Sequence, residues 1–556
     1  MAIPKLTADV EIIRKLCTFP NREDGLTAEQ LKEKFDRGSV EIRKYINTVL
    51  VPVLDKALPN AGDIVQAPAD GAWVAGYLRD LAENGHHYAW LDGEYLVKEK
   101  IPIPAGMTVV GGTFIAAEDY EDALFAARGD GCRLVGVTLR APALDKVPSI
   151  YVKNDVQTTA RDSNVMGLYS DGHEGIAMLD CVCDKIIPAK IDNGSGTIHG
   201  CRITDCSMFV YATNCRLTVE DNDVSICDTG LDMYYHVYYT NQNCDVVSRN
   251  NRIRCDTTVP YWDVYHLMTA ENDGKYRATG VIDGDVVSGN FHCIIDCHYA
   301  DLTLKNCSIA NANTEEWLEF ENTAYSSFVY ENCTLDLTGA KEQSLSSRMI
   351  AGRDIPEGVD PDIWKSSGYD TRFVRYDGCR IHRDSPMPKG VALHRCDVYL
   401  TLGKGEPAFV RSFLVHDCKI TISGVTTKKV VTVTETDEEG NEVTVTKLVT
   451  TLVKGESVTQ DDGTVVEGEE ERPLCVASGA SLDVDIDFIG NHVTFVHPNA
   501  EHKGGIIAPY LFRFRTMTGF ICNNIFDGVA VGTKLWYEDG SMGVCQNNIL
   551  KEVATT

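Results

Sequence analysis

The chain has 556 residues, 44 % of them apolar, with 52 basic and 81 acidic side chains and a net charge of −29. That apolar share excludes a disordered chain, and the acidic balance argues against nucleic acid as a partner, because phosphate contacts need a basic face. No apolar run reaches the ~20 residues that span a bilayer, so no membrane insertion is expected.

The N-terminal "MAIPKLTADVEIIRKL" lacks the basic start and long apolar core of a secretory signal. Residues 1–56 form the first predicted unit, and "GLTAEQLKEKFDRGSVEIRKYINTVLVPVL" within them predicts a helix. Thr27 is its N-cap and Gln30 completes a capping box. Leu31, Phe35, Ile42, Ile46 and Val49 make one apolar stripe. Gly38 interrupts that helix, and Pro52 bends or ends it. Such a stripe needs a partner outside its own segment.

"PNREDGLTAEQLKEKFD…IRKYIN" resembles the N-terminal segment of appendage proteins in phages and prophages of Gram-positive bacteria: tail, baseplate and fibre or head-fibre proteins. The resemblance covers about residues 8–55. It implies attachment to other virion proteins and a place in the virion, after assembly in the bacterial host cytoplasm. The bland alternative is a helical cap.

Residues 57–106 hold a linker, a short helix over "GAWVAGYLRDLAENG" with Asp70 as cap and Gly85 as stop, and a first strand "DGEYLV". Followed by "IPIPAGMTVVGG", this is similar to the start of the pectate-lyase-like β-helix in phage tailspikes. An open first turn of a solenoid exposes its core and must be covered, which gives the helix its role.

From residue 107 onward one motif recurs. Gly, Asn or Asp precedes Cys or Asn, and an aliphatic follows two residues later, as in "GCRI" at Gly200, "DNDV" at Asp221, "NCTL" at Asn332 and "DCKI" at Asp417. Several spacings fall in the twenties: Cys201 to Asn222 is 21 residues, Asn222 to Cys244 is 22 and Cys307 to Cys333 is 26. That period marks a solenoid. A leucine-rich repeat would need a returning helix in each unit, and alternating strand follows instead. The prediction is therefore a mainly β fold, a right-handed parallel β-helix. Small polar residues would set its corners, and the adjoining Cys or Asn would stack inward. Most of the 20 cysteines are then reduced, buried thiols rather than disulfides or zinc ligands. Neither a metal nor a cofactor is expected.

Two insertions interrupt the repeat. Residues 339–370 are charged and aperiodic, a loop. Residues 426–473 alternate Thr and Val around "EEGN" and "DDG", which predicts a projecting β-hairpin. Residues 107–425 and 474–556 carry the coils. The chain shows no separate trimerisation domain after them, so the homotrimer typical of tailspikes would need contacts along the flanks, the N-terminal helices or the hairpin.

Functional signals are weaker. "DMYYHVYYTNQN" carries Tyr234, Tyr235, Tyr238, Tyr239 and His236, and "YWDVYHLM" carries Tyr261, Trp262, Tyr265 and His266. On a flank these rings would stack on host cell-surface polysaccharide; alternatively they cover the flank or pack between protomers. A hydrolase needs two carboxylates about 5–9 Å apart. Asp228 with Asp232, Asp283 with Asp285, and Glu316, Glu319 and Glu321 are the candidates, since residues two apart in a strand share a face. Three functions stay open: a receptor-binding appendage, a polysaccharide depolymerase (glycosidase or lyase) on the same scaffold, and a non-binding virion decoration.

Overall fold

The computed structural model describes residues 70–141 and 165–553, apart from single positions and the connections 228–234, 257–261, 269–277, 312–316, 322–325, 341–373, 403–406, 425–428, 437–441, 450–456, 460–464, 468–474, 497–509 and 537–542. The N-terminal helix, its apolar stripe and most of the 339–370 loop lie outside the described residues. The described fold belongs wholly to the unit Pro68–Thr556.

Every strand pair within the three main sheets is parallel. Successive strands visit an 18-stranded, a 16-stranded and a nine-stranded sheet in turn, and each strand pairs with its equivalent one coil away. The fold is a right-handed parallel β-helix. Its nine-stranded side runs from Ile101–Ile103 to Leu318–Glu321, and among the described residues later coils carry no strand on that side.

The corner between the 18- and 16-stranded sheets explains the repeated motif. Asp180, Gly200, Asp221, Asn250, Gly284, Asn306, Asn332, Gly378, Arg395, Asp417, Gly490, Asn523 and Asn547 turn the chain there, with φ between 53 and 75°. Non-glycine residues pay a steric penalty in this left-handed region that Asn and Asp tolerate best. The next residue points into the core: Cys201, Asn222, Asn251, Asp285, Cys307, Cys333, Cys379, Cys396, Cys418, Asn491 and Asn524 are all buried.

This interior column holds its own hydrogen bonds. The carboxamide oxygen of Asn222 accepts the N–H of Cys201 at 2.9 Å, and that of Asn251 accepts the N–H of Asn222 at 3.0 Å. Asn491 and Asn524 repeat the pattern, each 2.9 Å from the preceding coil's N–H. Where the column carries cysteine, sulfur takes the same place more weakly: Cys379 Sγ lies 3.4 Å from the N–H of Cys333.

A correction concerns the spacings. Gly131–Cys132, Asn214–Cys215 and Asn243–Cys244 precede strands of the 18-stranded sheet and belong to a different corner. The coil-to-coil partner of Asn222 is therefore Asn251, and not Cys244.

The helix Gly71–Glu83 starts on Asp70, whose carboxylate accepts the N–H of Ala72 at 2.9 Å. It buries Val74 and Leu78 against the first coil. Within 426–473 two antiparallel hairpins form, Lys429–Thr436 with Glu442–Val449 and Ser457–Thr459 with Val465–Glu467. They enter the coil between Val415 and its partner Phe488.

All 18 described cysteines are free, and only Cys545 is partly exposed. Burial pushes the Cys475 thiol up to about 12 and raises those of Cys183 and Cys297 as well, so these thiols are poor nucleophiles. Alkylation of the native protein, read by peptide mass spectrometry, should therefore modify Cys545 well before any other described thiol. All 18 should react after unfolding, and a reductant should leave the melting temperature unchanged.

Candidate functional site

The nine-stranded sheet carries one register position with unusual chemistry. Pairing places Tyr169, Lys190, Tyr211, Tyr239, His266, Asp296 and Glu321 side by side on consecutive strands. At about 4.8 Å per strand these six steps span roughly 29 Å. Lys190 Nζ sits 4.6 Å from the Tyr211 ring centre and 5.9 Å from that of Tyr169. Tyr211 meets Tyr239 edge to face at 5.4 Å, and Tyr239 stacks on His266 at 5.0 Å with 9° between planes. Burial pulls the Lys190 ammonium down, but the Tyr211 hydroxyl and Asp192 outweigh it and keep the charge.

At one end of this column lies a compact cluster. In an unbroken strand, residues three apart face opposite sides. Here the ladder skips Val237, Val264 and Ile294, and His236 comes to the same side as Tyr239, 5.2 Å away. The His236 and His266 rings are 3.9 Å apart. Asp263 is 3.3 Å from His236 Nδ1 and 3.1 Å from His292 Nδ1, while His266 Nδ1 lies 2.9 Å from Asp296. His236, Asp263, His266 and Asp296 are all buried. Burial pushes the Asp263 carboxyl up, yet the two imidazoles against it more than reverse this and hold it at about 2. Burial, then the neighbouring His236, pushes His266 below the ordinary histidine value despite Asp296. The cluster thus joins an ionised carboxylate to an imidazole that stays neutral at pH 7.

The residues singled out from sequence fall elsewhere in part. Asp228, Asp232, Tyr234, Tyr261 and Glu316 lie outside the described residues, as do the side chains of Tyr235, Trp262 and Glu321, although Tyr235 and Trp262 are strand partners. Tyr238 and Tyr265 are corrections. Both are fully buried, with hydroxyls 3.4 Å from Asp285 in the interior, so neither ring is available to a sugar. Asp283 and Asp285 do not share a face, because Gly284 turns the corner between them at φ 75°. Asp283 accepts a bond from Asn306 at 2.7 Å on the outside, and Asp285 occupies the interior column. Glu319 is buried in an ion pair with Arg383, and it also accepts a bond from Tyr376. No two of the described carboxylates proposed from sequence form a catalytic pair. Asp263, Asp296, His292 and the Tyr169–Lys190–Tyr211 run were missed. Only coil register joins them, and register depends on loop lengths that the motif does not reveal.

No protein-family model matches the chain, and no curated protein matches it. Among solved structures, the catalytic domain of a GH87 alpha-1,3-glucanase in complex with nigerose is similar over 88 % of this chain and 70 % of that one, with 11 % identity and a TM-score of 0.32. The Streptococcus pneumoniae surface protein and adhesin PfbA covers 65 % of this chain and 94 % of its own, with 8 % identity and a TM-score of 0.31. The Azotobacter vinelandii mannuronan C-5 epimerase AlgE4 A-module matches over 86 % and 98 %, with 9 % identity and a TM-score of 0.23. The fold rests on the strand pairing itself.

Asp285 offers a test of placement. Burial raises its carboxyl above the ordinary 3.8, against hydrogen bonds from Ser248 and Asn251. A raised folded value favours the protonated form. Its stabilisation is complete below the unfolded value and is lost as pH rises through the folded one. At pH 7 the buried charge therefore costs stability. Asp285→Asn should raise stability by about 1 kcal/mol at pH 7, with the gain shrinking towards pH 4 in urea titrations, and should leave any surface activity intact.

Proposed function

We propose that this chain is a glycan-engaging β-helix carried as an appendage of a phage particle, with the outer column of the nine-stranded sheet as its polysaccharide site. The observation that carries the glycan reading is the half-buried, register-aligned run of Tyr169, Lys190 and Tyr211, which continues into the buried Tyr239, His266 and Asp296. Aromatic faces suit the apolar faces of sugar rings, and interleaved charged and polar groups suit their hydroxyls. The accessible part, two strand steps or roughly 10 Å, matches a short stretch of a sugar chain. The N-terminal segment, with its resemblance to virion appendages, supports attachment to other virion proteins. Self-association as a homotrimer belongs to the same proposal.

A second reading, depolymerisation of that glycan, is favoured by the ionised Asp263 beside the neutral His266, a pair suited to proton transfer. New reducing ends or unsaturated-uronate absorbance on incubation with host polysaccharide would support it.

The binding reading is tested by titrating host capsular or wall polysaccharide into wild-type protein and Tyr211→Ala. Loss of this half-buried ring should weaken affinity about tenfold, or roughly 1.4 kcal/mol. Replacing the exposed Tyr399, which lies on the 16-stranded sheet, should leave it unchanged. Equal affinities for all three proteins would remove the column from the site. Labelling of virions by antibody against the chain, together with light scattering of the purified protein, tests the appendage and trimer.

A further inference from the structure

His236, Asp263, His266 and Asp296 come from three successive strands of the nine-stranded sheet: Tyr235–Asn241, Trp262–Met268 and Cys293–His298. One donor atom from each lies within 4.8 Å of the other three. Four ligands at about 2.0–2.2 Å in a tetrahedral shell lie about 3.4 Å apart, so the widest-spaced donors must close by up to about 1.4 Å, which side-chain rotation must supply.

The donors are poorly satisfied as they stand. His266 Nε2 and Asp296 Oδ1 are buried and lack hydrogen-bond partners, His236 Nδ1 has only the 3.3 Å contact with Asp263, and the residues His236, His266 and Asp296 are only 7, 4 and 4 % exposed. A buried polar atom left unpaired costs about 1–3 kcal/mol. Ordinary His–Asp pairing, His236 with Asp263 and His266 with Asp296, leaves His266 Nε2 and Asp296 Oδ1 without use. The outer face of the chain contains such ordinary pairs, for example His199 with Asp221 at 3.6 Å, both solvent-exposed.

We propose that these four residues bind one divalent transition-metal ion through two imidazole nitrogens and two carboxylate oxygens. Two carboxylates balance the charge of a divalent ion. Imidazole donors favour zinc, manganese, iron, cobalt or nickel over calcium and magnesium, which prefer all-oxygen shells. The surroundings supply the supporting shell that a metal site needs. His292 Nδ1, 3.1 Å from Asp263 Oδ1, orients that carboxylate and leaves Oδ2 for the ion. Tyr239, stacked at 5.0 Å, fixes the His266 ring. The ligands come from three coils, so binding would also clamp consecutive coils together. This goes beyond the glycan reading and needs none of it.

The test uses the full chain, stripped with chelator, incubated with Zn²⁺ or Mn²⁺, dialysed, and assayed for bound metal by mass spectrometry. Wild type should retain about one ion per chain and melt at a higher temperature than the stripped protein. Ca²⁺ or Mg²⁺ should produce neither effect. Asp296→Asn and His266→Gln should each lower retention at least tenfold, and His199→Gln should retain the full ion. Wild-type protein loaded with Co²⁺ should show the visible absorption of a nitrogen- and oxygen-ligated cobalt site, a readout that requires no variant to fold. No retained Zn²⁺ or Mn²⁺ and no cobalt band in wild type would overturn the proposal. So would full retention in a folded His266→Gln/Asp296→Asn double variant.

Discussion

Everything in this molecule depends on a tight left-handed corner repeated once per coil. A parallel coil must turn sharply between sheets and still hand its backbone N–H groups to the next coil. The corner does the first with a residue at positive φ, such as Asn250, Asn306 or Gly378. The residue that follows does the second, by facing inward to meet its equivalent. The "Asn-Cys" and "Gly-Cys" pairs of the sequence are the chemical trace of these two requirements. Where Asn occupies the inner position, the amide accepts the preceding coil's N–H and donates onward, as Asn222 does to Ile198 and Asn251. Where Cys occupies it, a small apolar group fills the space with little polar demand. Asp285 is the exception: it sits in an asparagine's place, accepts from Asn251 and Ser248, and brings a charge into the core.

The third side of the coil is freer. The other two sheets extend through the whole described solenoid, whereas the nine-stranded sheet ends at Glu321. Within it the pairing skips one residue on most strands, at Leu124, Gly167 and Pro188 as at Val237, Val264, Ile294 and Glu319, and this brings His236 and Asp263 towards Tyr239 and His266. The skip recurs along the sheet, and where its strands carry His and Asp it assembles a compact polar cluster. A rigid ladder carries the side chains, and the break in its alternation sets what they can reach. The aromatic and lysine column lies on residues that follow the skip in the same sheet, Tyr169 and Lys190 after Gly167 and Pro188 as Tyr239 and His266 after Val237 and Val264.

Much of the fold was legible in the sequence because its rule is local. A residue that tolerates positive φ beside a small inward group can be recognised from two letters, and the capping Asp70 and the Thr/Val hairpins are equally local. Coil register was not legible. Left-handed residues turn all three corners of a coil, for example Lys185 and Asp205 before the nine-stranded sheet, so Asn214–Cys215 looks the same as Asn306–Cys307 although they turn at different places. Coils also differ in length: Tyr330 pairs with Tyr376 across the 339–370 insertion, and Tyr376 pairs with Leu393 much nearer in sequence. Facing was misread for the same reason. Gly284 separates Asp283 from Asp285, and Tyr238 turns inward where Tyr239 lines up with Tyr211. Glu319 gave no sign of its burial, because its partner Arg383 is two coils away.

The most direct measurement compares two corner substitutions in urea. Arg395 turns its corner at φ 53° without the help of an Asn, Asp or Gly, and Asn332 turns its own at φ 55°. Both side chains face solvent, and because Arg395 also pairs with Asp377 at 2.7 Å, both substitutions are made in an Asp377→Asn background so that a change in stability reports the backbone. If the left-handed turn is the governing constraint, Arg395→Asn should stabilise by up to about 1 kcal/mol and Asn332→Val should destabilise by about 1–2 kcal/mol. Shifts of the same sign, or none from either change, would contradict it.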